Sequence, residues 1–340
     1  MTTAGAPQGG MRAVRIGGPV QGGAARFVRR HLGLLGMPLL LAATLLFTAR
    51  IHPDFGAFDI QSLALGALPL AFAAAAQTFV VITEGIDLSV GSQIAVANVL
   101  AASTMQHADL PRALLLSVAI LVAGTIAGAL NGAVVVLSRI PDVVVTLTTG
   151  FIWGGVALLI LEKPGGGAPD GFLNLAAGTD LAPWLPNAVI LLVVAIAIVW
   201  IPVKRSRIGL LLYAVGSDKV AAFRSGVSVE STRIVAYALS GLLSAMGGLA
   251  LTMTTGIGSP LAGVYYTLSG LAALVIGGVS LAGGRGGIVG PVLAAFVLTL
   301  IPTDLIFLNI DPNFGQVIQG TLIVLVVMVG AFVTVLQTRK

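Results

Sequence analysis

Ile82-Thr83-Glu84-Gly85-Ile86-Asp87-Leu88-Ser89-Val90-Gly91-Ser92 places two carboxylates between long apolar runs. Leu63 to Val81 before it is almost entirely Ala, Leu, Phe and Val, and Ile94 to Ala102 after it has Asn98 as its only polar residue. An ionised carboxylate at the middle of a bilayer costs roughly 2.5–3.5 kcal/mol on insertion scales, so one is seldom kept there without a partner or a function. Gly85 and Gly91 allow a tight, non-helical link, which at membrane depth has to be buried in protein or line a cavity. Two readings stay open. The stretch is either a polar hairpin at the aqueous surface or an intramembrane motif of Glu84, Gly85, Asp87, Ser89 and Gly91.

Composition fixes the class. The chain is 57% hydrophobic and only 9% charged, with a mean hydropathy of +1.03. A soluble domain carries about 25% charge, so this is an integral membrane protein. The 44 glycines suit helices that approach closely within a membrane. With no cysteine there is neither a disulfide framework nor a thiolate metal site. The net charge of +5 comes from basic residues beside apolar spans and indicates no nucleic-acid partner.

Runs of about 20 apolar residues predict an all-α, polytopic fold with about ten transmembrane helices, some interrupted by glycine. The spans are 33–50, 60–82, 88–105, 112–138, 142–161, 187–203, 232–254, 264–282, 287–303 and 315–336; the third and eighth are each short or interrupted by Gly. Residues 1–31 read as a disordered basic cytoplasmic leader, and 32–338 as a single transmembrane domain. With both termini in the cytoplasm and ten crossings, all but Arg50, Arg112 and Lys163 of the 18 lysines and arginines fall inside, as the positive-inside rule requires. Asp54, Asp59, Asp109, Glu162, Asp170, Asp180, Asp304 and Asp311 then fall in outward loops.

The cytoplasmic segment 204–231 is long and basic. Ser217 or Asp218 can cap a short helix and Gly226 can end it; Val220, Ala221 and Phe223 are apolar while Lys219 and Arg224 are charged, so such a helix has mixed faces. A helix of about eight residues is not stable alone in water. It is held by the membrane helices, by anionic lipid headgroups or by a cytoplasmic protein.

Residues 82–92 resemble the Thr-Gly-Gly-Ile-Asp-Leu-Ser-Val-Gly signature of ATP-binding-cassette sugar importer permeases of the ribose/xylose/galactose type. Arg205-Ser206-Arg207-Ile208-Gly209 with Tyr213-Ala214-Val215-Gly216 is similar to a second pattern of that family, and Ala221-Ala222-Phe223-Arg224-Ser225-Gly226 to its coupling motif. Tyr237 to Leu243 and Val275 to Gly286 extend the likeness, in order, over roughly residues 60–336. The resemblance implies a permease subunit of the bacterial inner membrane that imports a monosaccharide. Its implied partners are a separate ATPase subunit, a periplasmic binding protein and a second permease copy or paralogue. The ATPase would dock on Gly216, Ser217, Asp218, Lys219, Ala221, Ala222, Arg224, Ser225 and Gly226. The chain departs from the family at Glu84, where Gly is usual, at Val220, which replaces the coupling motif's Glu, and at Ser269, where an acidic residue is common.

Residues 82–102 also align with 275–295 without gaps, a candidate internal repeat of the kind transporters carry. Gly165-Gly166-Gly167 is followed by Ala-Pro-Asp, so no phosphate-binding lysine is present and the chain is not the ATPase. We expect no catalytic residue, no metal and no bound cofactor; ATP and Mg would belong to the partner. Gln77, Thr78, Asn98 and Asn131 are candidates for a sugar path on polarity, or are glue between helices. The alternative function is an ion- or proton-coupled secondary transporter using Glu84 and Asp87.

Overall fold

The computed structural model describes residues 23–318 except 183, together with 320, 321, 324 and 328. Twelve helices are delimited among them: α1 (Gly23–Ile51), α2 (Ala57–Ile82), α3 (Val90–Met105), α4 (Leu110–Ser138), α5 (Asp142–Ile160), α6 (Asp170–Ala177), α7 (Asn187–Arg205), α8 (Arg207–Ser217), α9 (Lys219–Arg224), α10 (Val229–Thr255), α11 (Gly263–Ile276) and α12 (Val289–Phe307). The described residues divide into two units at Gly36. In the first, helix begins at Gly23 and takes in the end of the expected leader, whose remainder lies outside the described residues. The tenth expected span is helical at its described positions from Phe314 and otherwise lies outside them.

Each of the other nine expected spans coincides with a helix, and among the described residues six helices are long and apolar enough to cross a membrane. The third and eighth spans become α3 and α11, with 16 and 14 residues. The eighth stops six residues early because Gly277 and Gly278 end the helix there, with Gly278 at φ 82°. Most of the segment 204–231 is helical, as α8, α9 and the start of α10, and α9 is the short helix expected there.

Helix α2 forms the centre, with 89% of its apolar window buried, against 67% in α10 and 22% in each of α4 and α5. The inner helices carry Ala and Gly where they meet. A Cβ on Gly128 of α4 would lie 2.2 Å from the Tyr237 carbonyl oxygen, and one on Gly241 of α10 would lie 2.2 Å from that of Gly124. Where apolar association gives no advantage over lipid, close backbone packing of this kind holds helices together. The outer faces of α4 and α5 instead present Leu115, Leu137, Phe151 and Leu159, all strongly exposed, as a lipid-facing surface requires.

The connections sort onto two ends. At one, Gly284 N–H donates to the Ile82 carbonyl (2.9 Å), Lys219 pairs with Glu84 (2.8 Å) and Arg233 pairs with Asp142. At the other, Gly165 and Gly258 exchange backbone hydrogen bonds (3.0 and 2.8 Å), Gly167 N–H donates to Ala102 O, and the Gln61 amide donates to Ala177 O. Asp304 departs from expectation: it lies inside α12, buried, where Thr48 of α1 donates to it at 2.7 Å.

Candidate functional site

Helix α2 ends at the turn that carries Glu84 and Asp87. Glu84 N–H donates to Val81 O (2.9 Å) and Gly85 N–H to Val80 O (3.1 Å), with Glu84 at φ 61°. This is a Schellman ending, whose left-handed position is normally glycine. A side chain there costs on the order of 1–2 kcal/mol. Gly85 has negative φ, so the conformational role expected of it falls to Glu84 instead. Gly85 is small for another reason: a Cβ would lie 2.8 Å from Asp142 Oδ2. Gly91 likewise lies in the first turn of α3, pressed against Gly263 of α11, whose carbonyl oxygen would be 2.1 Å from a Cβ.

The two carboxylates part company. Glu84 is half-exposed and paired with Lys219. Asp87 is 1% exposed, so the surface-hairpin reading does not describe it. Its Oδ1 accepts from Ser89 N–H (3.0 Å) and the Ser89 hydroxyl (2.5 Å), and its Oδ2 from the Ser240 hydroxyl of α10 (2.9 Å). Ser89 Oγ accepts in turn from the amides of Gln93 (2.9 Å) and Asn131 (2.7 Å), and Asn131 Oδ1 accepts from Trp153 Nε1 (3.1 Å). A buried carboxylate is tolerable when its lone pairs are met by donors. This chain of contacts fastens the turn to α3, α4, α5 and α10.

Beside it, Thr146 of α5 accepts from Leu88 N–H (3.1 Å), and the Tyr237 hydroxyl stands 3.1 Å from Asp142 Oδ2. Ser240, Thr146 and Trp153 went unnoticed in the sequence as members of this site. The signal for Ser240 was present in Tyr237, Ser240 and Ser244, spaced three and four residues apart, which puts polar groups on one stripe of a helix.

The four path candidates are all buried. Gln77 Nε2 donates to Thr267 O of α11 (2.9 Å). Thr78 donates to Ala74 O of its own helix (2.7 Å). Asn98 bridges Thr252 (2.9 Å), Ile257 O (3.1 Å) and Ser259 N–H (2.7 Å), and Asn131 belongs to the Asp87 network. In this conformation each is engaged with protein. A cavity of about 400 Å³ between α3, α4 and α5 touches the site through Gln93 and Trp153 and is otherwise apolar.

At the same end, α8 and α9 make an elbow. Asp218 is the cap, accepting from Val220 and Ala221 N–H at 2.9 Å each. Gly226, at φ 83°, closes α9 with Val227 N–H donating to Ala222 O (3.0 Å). Within α9 only Ala222 is buried; Val220 and Phe223 are 60% and 72% exposed, and Arg224 is exposed beside them. Of the expected docking residues, Gly216 faces inward, where a Cβ would lie 1.7 Å from the Ile82 carbonyl oxygen; Ser217 is exposed, although its backbone packs on Gly284. Ser225 Oγ donates back to Ala221 O (2.9 Å). The outward face of α9 carries Val220, Ala221, Phe223 and Arg224, and the expected docking residues Ser217, Asp218, Ser225 and Gly226 are exposed beside it.

The two segments of the candidate repeat meet here. Both are a helix with a Schellman ending, a turn and a second helix: Val279 N–H donates to Leu274 O (3.2 Å) as Gly85 N–H does to Val80 O. The connections differ in length, 83–89 against 277–288, so the gapless register is not kept by α3 and α12.

A family model described as "Branched-chain amino acid transport system / permease component" matches residues 60–327. The ribose import permease protein RbsC of Haemophilus influenzae is 31% identical, over 88% of this chain and 92% of its own length. The galactose/methyl galactoside import permease protein MglC of Escherichia coli is 30% identical, over 73% and 78%. The fructose import permease protein FrcC of Rhizobium meliloti is 30% identical, over 82% and 79%. No solved structure matches the chain significantly. With the matched region spanning the polar turn, the elbow and the helices that hold them, the chain belongs to the family of branched-chain amino acid transport system permease components.

Proposed function

We propose that the chain is the transmembrane subunit of an ATP-binding-cassette importer for a monosaccharide of the pentose or hexose class, in a bacterial inner membrane with both termini cytoplasmic. A separate ATPase docks on the elbow, an external binding protein delivers the sugar, and a second permease chain completes the transporter. ATP and Mg are used by the ATPase. The observation that carries this reading is the outward face of α9. Exposed Val220 and Phe223 beside Arg224 form an apolar and basic surface at the end of the molecule where the basic residues gather. The backbone of the elbow bears directly on the end of α2 at Gly216 and Ile82. A force applied to α9 thus reaches the most buried helix without passing through a flexible linker. Relatives named for ribose, galactose and fructose import support the substrate class.

A secondary transporter built on Glu84 and Asp87 is the weaker reading, because the two carboxylates do not share a site. One pairs with Lys219 and the other is closed into a hydroxyl and amide network. The deciding experiment is purification from membranes of a cell expressing the full set of subunits, followed by an ATPase assay on the complex. An ATP-hydrolysing partner that co-purifies with the chain and is lost on Phe223→Asp supports the proposal. Transport by the chain alone in vesicles, collapsing with the ion gradient, would refute it.

A further inference from the structure

Glu84 stands where helix α2 needs a left-handed residue, a place glycine would fill without strain. It is held among backbone: a Cβ on Gly283 would lie 2.9 Å from the Cβ of Glu84. Its carboxylate receives the Lys219 ammonium at 2.8 Å. The pair is 36% and 50% exposed, and ion pairs so placed contribute little to folding. Stability therefore does not account for a charged side chain at this position.

Geometry supplies another reason. Lys219 is the first residue of α9, and Asp218 before it is extended at φ −164°, so α9 leaves α8 through a one-residue bend. Among the described residues, the Lys219–Glu84 contact is the ion pair that joins α9 to the turn carrying Asp87. Two residues separate Glu84 from Asp87, which bonds Ser240 of α10 directly and α3, α4 and α5 through Ser89 and Asn131. From this we infer that Glu84 is a positioning residue for coupling: through Lys219 it ties the docking helix to the Asp87 turn, so that displacement of α9 moves the turn with it. This inference rests on the proposed function and adds a specific mechanical link to it.

The test uses the complete importer in liposomes and reads sugar taken up per ATP hydrolysed. Glu84→Gly removes the carboxylate while relieving the backbone, so loss of fold does not confound it. Glu84→Gln keeps the side chain and removes the charge. Both should lower uptake per ATP by about threefold or more, and the exchange of Glu84→Lys with Lys219→Glu should recover most of that loss, as a direct pair requires. Uptake per ATP at the unaltered level in Glu84→Gly and Glu84→Gln overturns the inference, as does an exchange no better than its single variants. Failure of the proposed function looks different: the unaltered importer would then show no ATP-driven uptake at all.

Discussion

The turns after α2 and after α11 begin alike and end differently. Each helix stops in the same hydrogen-bonded ending, and the two turns touch where Gly284 N–H meets Ile82 O. At the left-handed position one carries Glu84 and the other Gly278. The first turn runs from 83 to 89 and packs a carboxylate into a polar network. The second runs from 277 to 288 with Gly283, Gly284 and Gly286 all at positive φ, and holds its place through backbone. A short turn fixed by side chains transmits position, whereas a glycine loop conforms to whatever presses on it. The pair reads as a lever against a socket, with Gly216 of the elbow between them.

The contrast can be broken from either side. The largest effect belongs to the shared contact: Gly216→Val drives a side chain into the Ile82 carbonyl and should cost more than about 3 kcal/mol, seen as loss of the monodisperse peak in detergent chromatography. Asp87→Ala comes next. It leaves Ser89 and Ser240 with buried donors unmet, at about 1–3 kcal/mol each, and should lower the thermal unfolding midpoint markedly. Asp87→Asn should cost about 1 kcal/mol, because the amide oxygen still accepts from Ser89 and the Ser240 hydroxyl can turn to accept from the amide. Equal destabilisation by Ala and Asn would show that charge, not hydrogen bonding, holds the first turn. The smallest effects separate the two left-handed positions. Gly278→Ala should destabilise by about 1 kcal/mol, while Glu84→Gly should be neutral or stabilising, since relief of about 1 kcal/mol of backbone strain meets the loss of an exposed pair worth about 0.2–1 kcal/mol. The same sign at both positions would dissolve the distinction.

Much of this was legible in the sequence because bilayer length and charge bias act residue by residue. The placement of the helices and a cap at Ser217 or Asp218 follow from local chemistry, the structure choosing Asp218. Three things were not legible. Asp87 and Glu84, three residues apart in one motif, have opposite settings, because burial depends on Ser240, more than 150 positions away. Asp304 reads as a loop residue until Thr48 of another helix is found against it. The apparent repeat matched Gly and Ala in a chain full of both, and gapless matching cannot see that one connection is longer than the other. Composition reports solvent; it does not report which helix faces which.

The contact of Gly216 with Ile82 is made of main chain on both sides, apart from the missing Cβ. Side chains offer evolution a graded scale, since a methyl can be trimmed or a charge moved. A joint of bare backbone offers no intermediate steps. Across a complete set of single substitutions, position 216 should be close to all-or-none, while position 84 should vary smoothly with the charge and length of its occupant. Diversification of this transporter for new cargo or new partners is then channelled away from the joint and toward the surfaces around it.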